Sequence, residues 1–123
     1  MTTTTQAVTW VARQVTDAAL REARGMAGAL GLAVLQDEPG KLVVATADGG
    51  VLEYLTPERA EPAYLFDGQD TVVGFLVDDL DGAVGDLADA GFAPVGVGGA
   101  GGGVRFQHVR GPGGVAYGLI QRV

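Results

Sequence analysis

The chain has 123 residues, of which 47% are hydrophobic, so it is long enough for one folded domain with a buried core. It contains no cysteine, which excludes disulfides, thiolate metal sites and cysteine nucleophiles. Its formal net charge of −7 argues against a nucleic-acid partner, because an acidic surface repels the phosphate backbone.

Neither a membrane span nor a targeting segment is visible in the sequence. No apolar run approaches the roughly 20 residues that a membrane-spanning helix needs. The first residues, MTTTTQAV, lack the basic and apolar regions of a signal peptide. We therefore expect a cytoplasmic protein with no membrane partner.

The chain begins with a predicted strand and helix. Residues 7–15 have a strand pattern, and Thr16 with Asp17 can cap a following helix. Helical spacing of apolar residues predicts that this helix covers residues 17–30, ended by Gly31. The apolar stripe consists of Leu20, Ala23, Ala27 and Leu30.

Three more strands and a connecting segment follow. Turn-forming residues separate the strands, which we predict over residues 32–36, 42–47 and 51–56. Residues 57–70 have the proline and acidic content of a linker. Tyr64, Leu65 and Phe66 are too apolar for a solvated tether, so we expect them to pack across a seam between the two halves.

The second half repeats this order. Residues 72–77 form a β-branched and aromatic strand pattern, and Asp78 with Asp79 can cap a helix over residues 80–90. Gly91 stands where a left-handed C-cap is favoured. The remaining strands are predicted over residues 93–97, 104–109 and 115–121.

The repeat is visible in the residues themselves. VTD at 15–17 corresponds to VDD at 77–79, and ADGGVLEYL at 47–55 corresponds to GPGGVAYGL at 111–119 with a one-residue offset. We predict an α+β fold of two tandem βαβββ modules within a single domain, residues 1–123. The modules cover about 7–58 and 71–123, with a linker over 59–70.

Two segments, VGFLVDDLDGAVGDLADAGF and RFQHVRGPGGVAYGLIQ, resemble the second module of the vicinal-oxygen-chelate superfamily. This superfamily includes glyoxalase I, extradiol dioxygenases and bleomycin-resistance proteins. The resemblance implies curved mixed sheets that enclose a cavity, with the helices outside. It also implies a homodimer.

The resemblance also implies four metal-ligand positions, usually His or Glu. They correspond here to Trp10, Glu53, Val72 and Gly118. Three of these four residues cannot bind a metal, and one carboxylate does not make a coordination shell. We therefore expect no metal and no cofactor.

Loss of the ligands would leave a cavity. Trp10 either stacks on a planar guest or fills the space that the metal has left. Glu53 either binds a ligand or pairs with Arg105 or Arg13, because a carboxylate on an inward face needs a partner. The predicted ligand-binding residues are Trp10, Glu53, Tyr64, Phe66, Arg105, Gln107 and Tyr117.

Together these features predict a metal-free protein that sequesters a small aromatic or cationic molecule, such as an aromatic natural product or antibiotic. The resemblance to drug-binding resistance proteins supports this hypothesis. The alternative is a glyoxalase-like lyase, isomerase or tailoring enzyme that uses Glu53 as acid and base. Catalysis, and a purely regulatory role, stay open at this point.

Two further features are assigned structural roles. Residues 96–101 match G-x-G-x-x-G, but a strand follows instead of a helix, so we predict a flexible loop or lid and no dinucleotide site. His108 has no nucleophile or carboxylate at a recognisable spacing, so we expect it to be structural or at the rim of the cavity.

Overall fold

The computed structural model describes residues 3–123. It contains two compact units. The N-terminal unit is Thr9–Val72, and the C-terminal unit is Val73–Val123 together with residues 3–8. The elements are β1 (Thr5–Gln14), α1 (Asp17–Leu30), β2 (Ala33–Glu38), β3 (Lys41–Ala45), β4 (Val51–Leu55), β5 (Thr71–Val77), α2 (Leu80–Asp89), β6 (Ala93–Gly101), β7 (Val104–Arg110) and β8 (Ala116–Arg122). This order confirms the predicted α+β class and the repeated βαβββ pattern.

In the N-terminal unit the strand order is β2-β3-β4-β1. β4 is antiparallel to β3 and parallel to β1. The core lies between α1 and one face of this sheet and consists of Leu20, Ala23, Ala27, Leu42 and Val44. Leu30, which we predicted in the apolar stripe of α1, is 68% exposed, because it is the last residue of the helix.

Both helices have the capping that the sequence predicted. The Thr16 hydroxyl accepts a hydrogen bond from the Ala19 N–H at 3.1 Å. The Asp79 carboxylate accepts one from the Gly82 N–H, also at 3.1 Å. Gly31 has a left-handed φ of 67° and ends α1. Short polar caps and glycine act locally, so they are visible without tertiary structure.

In the C-terminal unit the strand order is β5-β8-β7-β6. β8 is parallel to β5 and antiparallel to β7. The core lies between α2 and the sheet and consists of Val77, Leu80, Ala83, Val109 and Leu119. The same layering therefore occurs in each unit, with one helix covering one face of a four-stranded mixed sheet.

The glycine-rich segment at 96–101 is not a loop, which corrects the prediction. β6 continues through it to Gly101, with a register irregularity between Val95 and Gly99. The turn is confined to Gly102 and Gly103, whose φ angles of 60° and 80° suit a two-residue hairpin. Pairing with Phe106 and Val104 of β7 holds Gly99 and Gly101 in a strand that glycine's own propensity disfavours, whereas Gly96, with a φ of 69°, lies in the irregularity.

After β4 the N-terminal unit contains two short 3₁₀ turns, Pro57–Arg59 and Ala63–Phe66. Leu65 is buried at 1% exposure, and its neighbours Tyr64 and Phe66 are half-buried. Among residues 3–123, neither helix has the length and apolar content required to cross a membrane.

Candidate functional site

Glu53 lies on the sheet face opposite α1. Its strand neighbours Leu52 and Tyr54 pack against the core beneath α1. Because successive side chains of a strand point to opposite faces, Glu53 points away from the helix.

Apolar residues flank Glu53 on both sides. Its register partners are Ala12 on β1 and Val43 on β3, which are 0% and 7% exposed. The side chain of Glu53 makes no hydrogen bond or ion pair with any of residues 3–123. Arg105, named above as an alternative partner of Glu53, binds Asp81 at 3.1 Å within the C-terminal unit.

Glu53 lines a cavity of about 540 Å³ within the N-terminal unit. The other lining residues are Lys41, Leu55, Arg59, Glu61 and Pro62. Lys41 is the register partner of Leu55, so it lies two positions from Glu53 on the same face. We call this space the Glu53 cavity.

The cations of the Glu53 cavity differ in their availability. Arg59 is held by Glu38 at 2.9 Å and donates to the Pro39 carbonyl at 2.7 Å. Lys41 makes no hydrogen bond or ion pair with residues 3–123. The cavity thus presents to a guest one cation, Lys41, whose charge also acts on Glu38, and two carboxylates, Glu53 and Glu61, that make no hydrogen bond or ion pair with residues 3–123.

The negative charge of Glu38 also helps to hold Arg59 in place. Hydrogen bonds from Gln36 and then from Arg59 lower the pKa of Glu38 below its ordinary value. Glu38 therefore stays ionised at neutral pH and keeps Arg59 at the rim of the cavity.

The residues at the family's metal-ligand positions do not fit a metal ion. Val72 and Gly118 have no donor atom, and the indole of Trp10 can only donate a hydrogen bond. Among residues 3–123, no group of three or more His, Cys, Asp and Glu side chains comes together. We therefore derive no chemical step through a metal.

Trp10 shares the sheet face of Glu53. It lies two residues before Ala12, the register partner of Glu53, and is half-buried. It is not among the residues that line the Glu53 cavity, and neither are Tyr64 and Phe66 of the second 3₁₀ turn.

The other predicted site residues lie on the sheet face that α2 covers. Arg105 is tied to Asp81 of α2, and the Gln107 amide donates to the Val95 carbonyl at 3.3 Å. Tyr117 packs against the core of the C-terminal unit. The alternation of side chains along a strand does not show which face of the sheet a helix covers. For this reason these residues were predicted to bind the ligand together with Glu53.

Sequence reasoning did not identify Lys41, Arg59 and Glu61 as residues of the Glu53 cavity. Lys41 could have been predicted from the β3–β4 hairpin, because pairing these strands puts Lys41 and Glu53 on one face. Arg59 and Glu61 follow β4 in an irregular segment, where no periodicity predicts direction.

Comparison with known proteins identifies the fold. Neither a protein-family model nor a curated protein matches the sequence significantly. Among solved structures, a glyoxalase/bleomycin resistance protein/dioxygenase superfamily member from Vibrio splendidus 12B01 has a TM-score of 0.56 at 16% identity, covering 96% of this chain and 99% of that one.

Two larger proteins contain a similar part. The Mn(II)-bound glyoxalase from Novosphingobium aromaticivorans matches 97% of this chain and 40% of its own, with a TM-score of 0.63 at 15% identity. A xylose isomerase-like TIM barrel/4-hydroxyphenylpyruvate dioxygenase fusion protein matches 97% of this chain and 26% of its own, with a TM-score of 0.65 at 14% identity. The chain therefore has the vicinal-oxygen-chelate fold that the resemblance predicted.

Proposed function

We propose that this chain is a metal-free protein that binds and sequesters a small, partly aromatic molecule at the face bearing Glu53. The observation that carries the proposal is the Glu53 carboxylate. It is half-buried between apolar neighbours and has no partner among residues 3–123. A carboxylate in such a position is stabilised by a ligand that donates a hydrogen bond or carries a cation.

The surroundings of Glu53 restrict the class of ligand. Lys41 can bind a carbonyl or phenolate oxygen, and Trp10 on the same face provides a ring for stacking. The net charge of −7 favours a neutral or cationic molecule over an anionic one. An aromatic natural product or antibiotic with an amine or hydroxyl group meets these requirements.

The proposal includes two properties that rest on the family resemblance. The chain would act as a homodimer, which light scattering on the purified protein would establish. It would release its ligand unchanged, as drug-binding resistance proteins do.

The test begins with native mass spectrometry of the purified protein to identify a copurifying molecule. Affinity is then measured by fluorescence, because Trp10 is the single tryptophan of the chain. Glu53→Gln should weaken binding by at least about fivefold, since an uncompensated charge-assisted hydrogen bond contributes roughly 1–3 kcal/mol. Glu22→Gln is the matched control, because Glu22 is exposed on α1.

Equal affinities for the wild type and Glu53→Gln would refute a ligand site at Glu53. Conversion of the bound molecule by the wild type, but not by Glu53→Gln, would instead support acid–base catalysis by Glu53. Recovery of the molecule unchanged, with weaker binding in the variant, supports sequestration.

A further inference from the structure

The C-terminal unit contains a cavity on the sheet face that α2 covers. Its volume is about 410 Å³, within the range of small-molecule sites. We call it the α2 pocket. It lies on the helix side of the sheet, whereas Glu53 lies on the face opposite its helix.

The base of the α2 pocket is apolar and fully formed. It consists of the buried residues Val77, Ala83, Val109 and Leu119, which are between 1% and 5% exposed. These side chains belong to the core of the unit, so their positions are held by packing on α2 and β8. A guest would therefore meet a preformed surface and lose little binding energy to reorganisation.

Aromatic rings form the wall of the α2 pocket. Phe75 and Tyr117 are stacked, with ring centroids 6.0 Å apart and planes inclined by 30°. Phe92 lies 6.4 Å from Tyr117 at 56°. All three rings are only half-buried, so each still offers part of its surface to a planar molecule.

The α2 pocket contains a single charged residue. Leu87, Thr3, Thr5 and Asp86 complete the lining, and Asp86 is exposed on α2. The Asp86 side chain makes no hydrogen bond or ion pair with residues 3–123. A carboxylate beside aromatic faces, on a chain with net charge −7, favours a cation.

We propose that the α2 pocket is a second binding site, which takes a flat apolar molecule carrying an amine. The ring system contacts the aromatic wall and the buried base, and the ammonium group lies at Asp86. This site shares no lining residue with the Glu53 cavity and belongs to the other compact unit.

The probe is 9-aminoacridine, a planar cation, and anthracene-9-carboxylate is the matched anion of similar shape. Fluorescence titration should show saturable binding of the cation and binding of the anion weaker by more than about tenfold. Asp86→Asn should weaken binding of the cation by about two- to fivefold, which corresponds to the contribution of an exposed ion pair. Asp89→Asn, on the same helix outside the pocket, should leave affinity unchanged.

Filling the pocket provides the second test. Ala83→Leu places three more carbon atoms into the cavity and should reduce affinity for 9-aminoacridine by more than about tenfold. Ala88→Leu is the matched control, because Ala88 is exposed on α2 and does not line the pocket. Because 9-aminoacridine also belongs to the ligand class proposed for the Glu53 cavity, both variants are compared in a Glu53→Gln background. A loss of affinity caused there by Ala83→Leu belongs to the α2 pocket, which separates the result from the function proposed above.

Equal binding of cation and anion, or unchanged binding in Ala83→Leu, would overturn the proposal. If Ala83→Leu does not fold, methyl NMR of the wild type decides. Shift changes on titration should concentrate on Val77, Val109 and Leu119. Changes confined to other methyl groups would place the probe elsewhere and refute the site.

Discussion

The ring of Phe106 lies over Gly99 at paired positions of β7 and β6, and a Cβ atom on residue 99 would come within 2.7 Å of it. Glycine at this position therefore serves close packing, not loop flexibility. The aromatic ring covers a strand segment that has few side chains of its own.

Gly99→Ala should destabilise the protein by about 1–3 kcal/mol, the usual cost of overpacking. Gly101→Ala is the control, because a Cβ atom there would meet nothing within 4 Å. Thermal unfolding of both variants measures the difference. Equal melting temperatures would show that the Phe106 ring moves aside without cost.

Replacement of Trp10 by alanine tests whether this residue binds the ligand or fills the core. Because a stacked ring adds about 0.5–1.5 kcal/mol beyond its buried area, Trp10→Ala should weaken binding at least about tenfold. Isothermal titration calorimetry with the copurifying molecule measures the effect, and far-UV circular dichroism checks the fold. An unfolded variant, or unchanged affinity, would make Trp10 a core residue.

The purified protein should contain no stoichiometric zinc, nickel, iron or manganese. The reason is the donor set, since Trp10, Val72 and Gly118 stand where the family has ligands. Elemental analysis before and after EDTA treatment measures this, together with the melting temperature. One ion per chain, with a lower melting temperature after its removal, would contradict the assignment of these positions.

His108 should make stability depend on pH below neutrality. Burial lowers the pKa of His108 below its ordinary value of 6.5, and its ring lies 5.4 Å from that of Phe106. The unfolded chain therefore binds the proton first as the pH falls below 6.5, so the free energy of unfolding decreases there. Well above that pH the imidazole of His108 is neutral in both the folded and the unfolded chain, so it does not contribute to the pH dependence of stability.

Urea unfolding of the wild type and His108→Gln between pH 5 and pH 8 isolates this contribution from that of the carboxylates. The wild type should lose more stability than the variant on acidification. Parallel curves would indicate that the imidazole titrates in the folded protein as it does in the unfolded chain.

Much of the secondary structure was determined by local chemistry. Thr16, Asp79 and Gly31 define helix ends through bonds and φ angles that span only a few residues. The repeated order of elements followed from the same local signals and predicted two βαβββ modules, whereas the vicinal-oxygen-chelate fold was predicted from the resemblance of two sequence segments to that superfamily.

What the tertiary structure decided is which face of each strand the helix covers and which segments pair. A period of two shows that Arg105 and Gln107 share a face of β7, but the register with β8 was needed to put Tyr117 on that face, and α2 packs on it. Gly99 and Gly101 of β6 extend the strand because they pair with Phe106 and Val104 of β7, and the ring of Phe106 lies over Gly99. Both outcomes depend on contacts between residues that are distant in sequence, and a local sequence pattern does not predict such contacts.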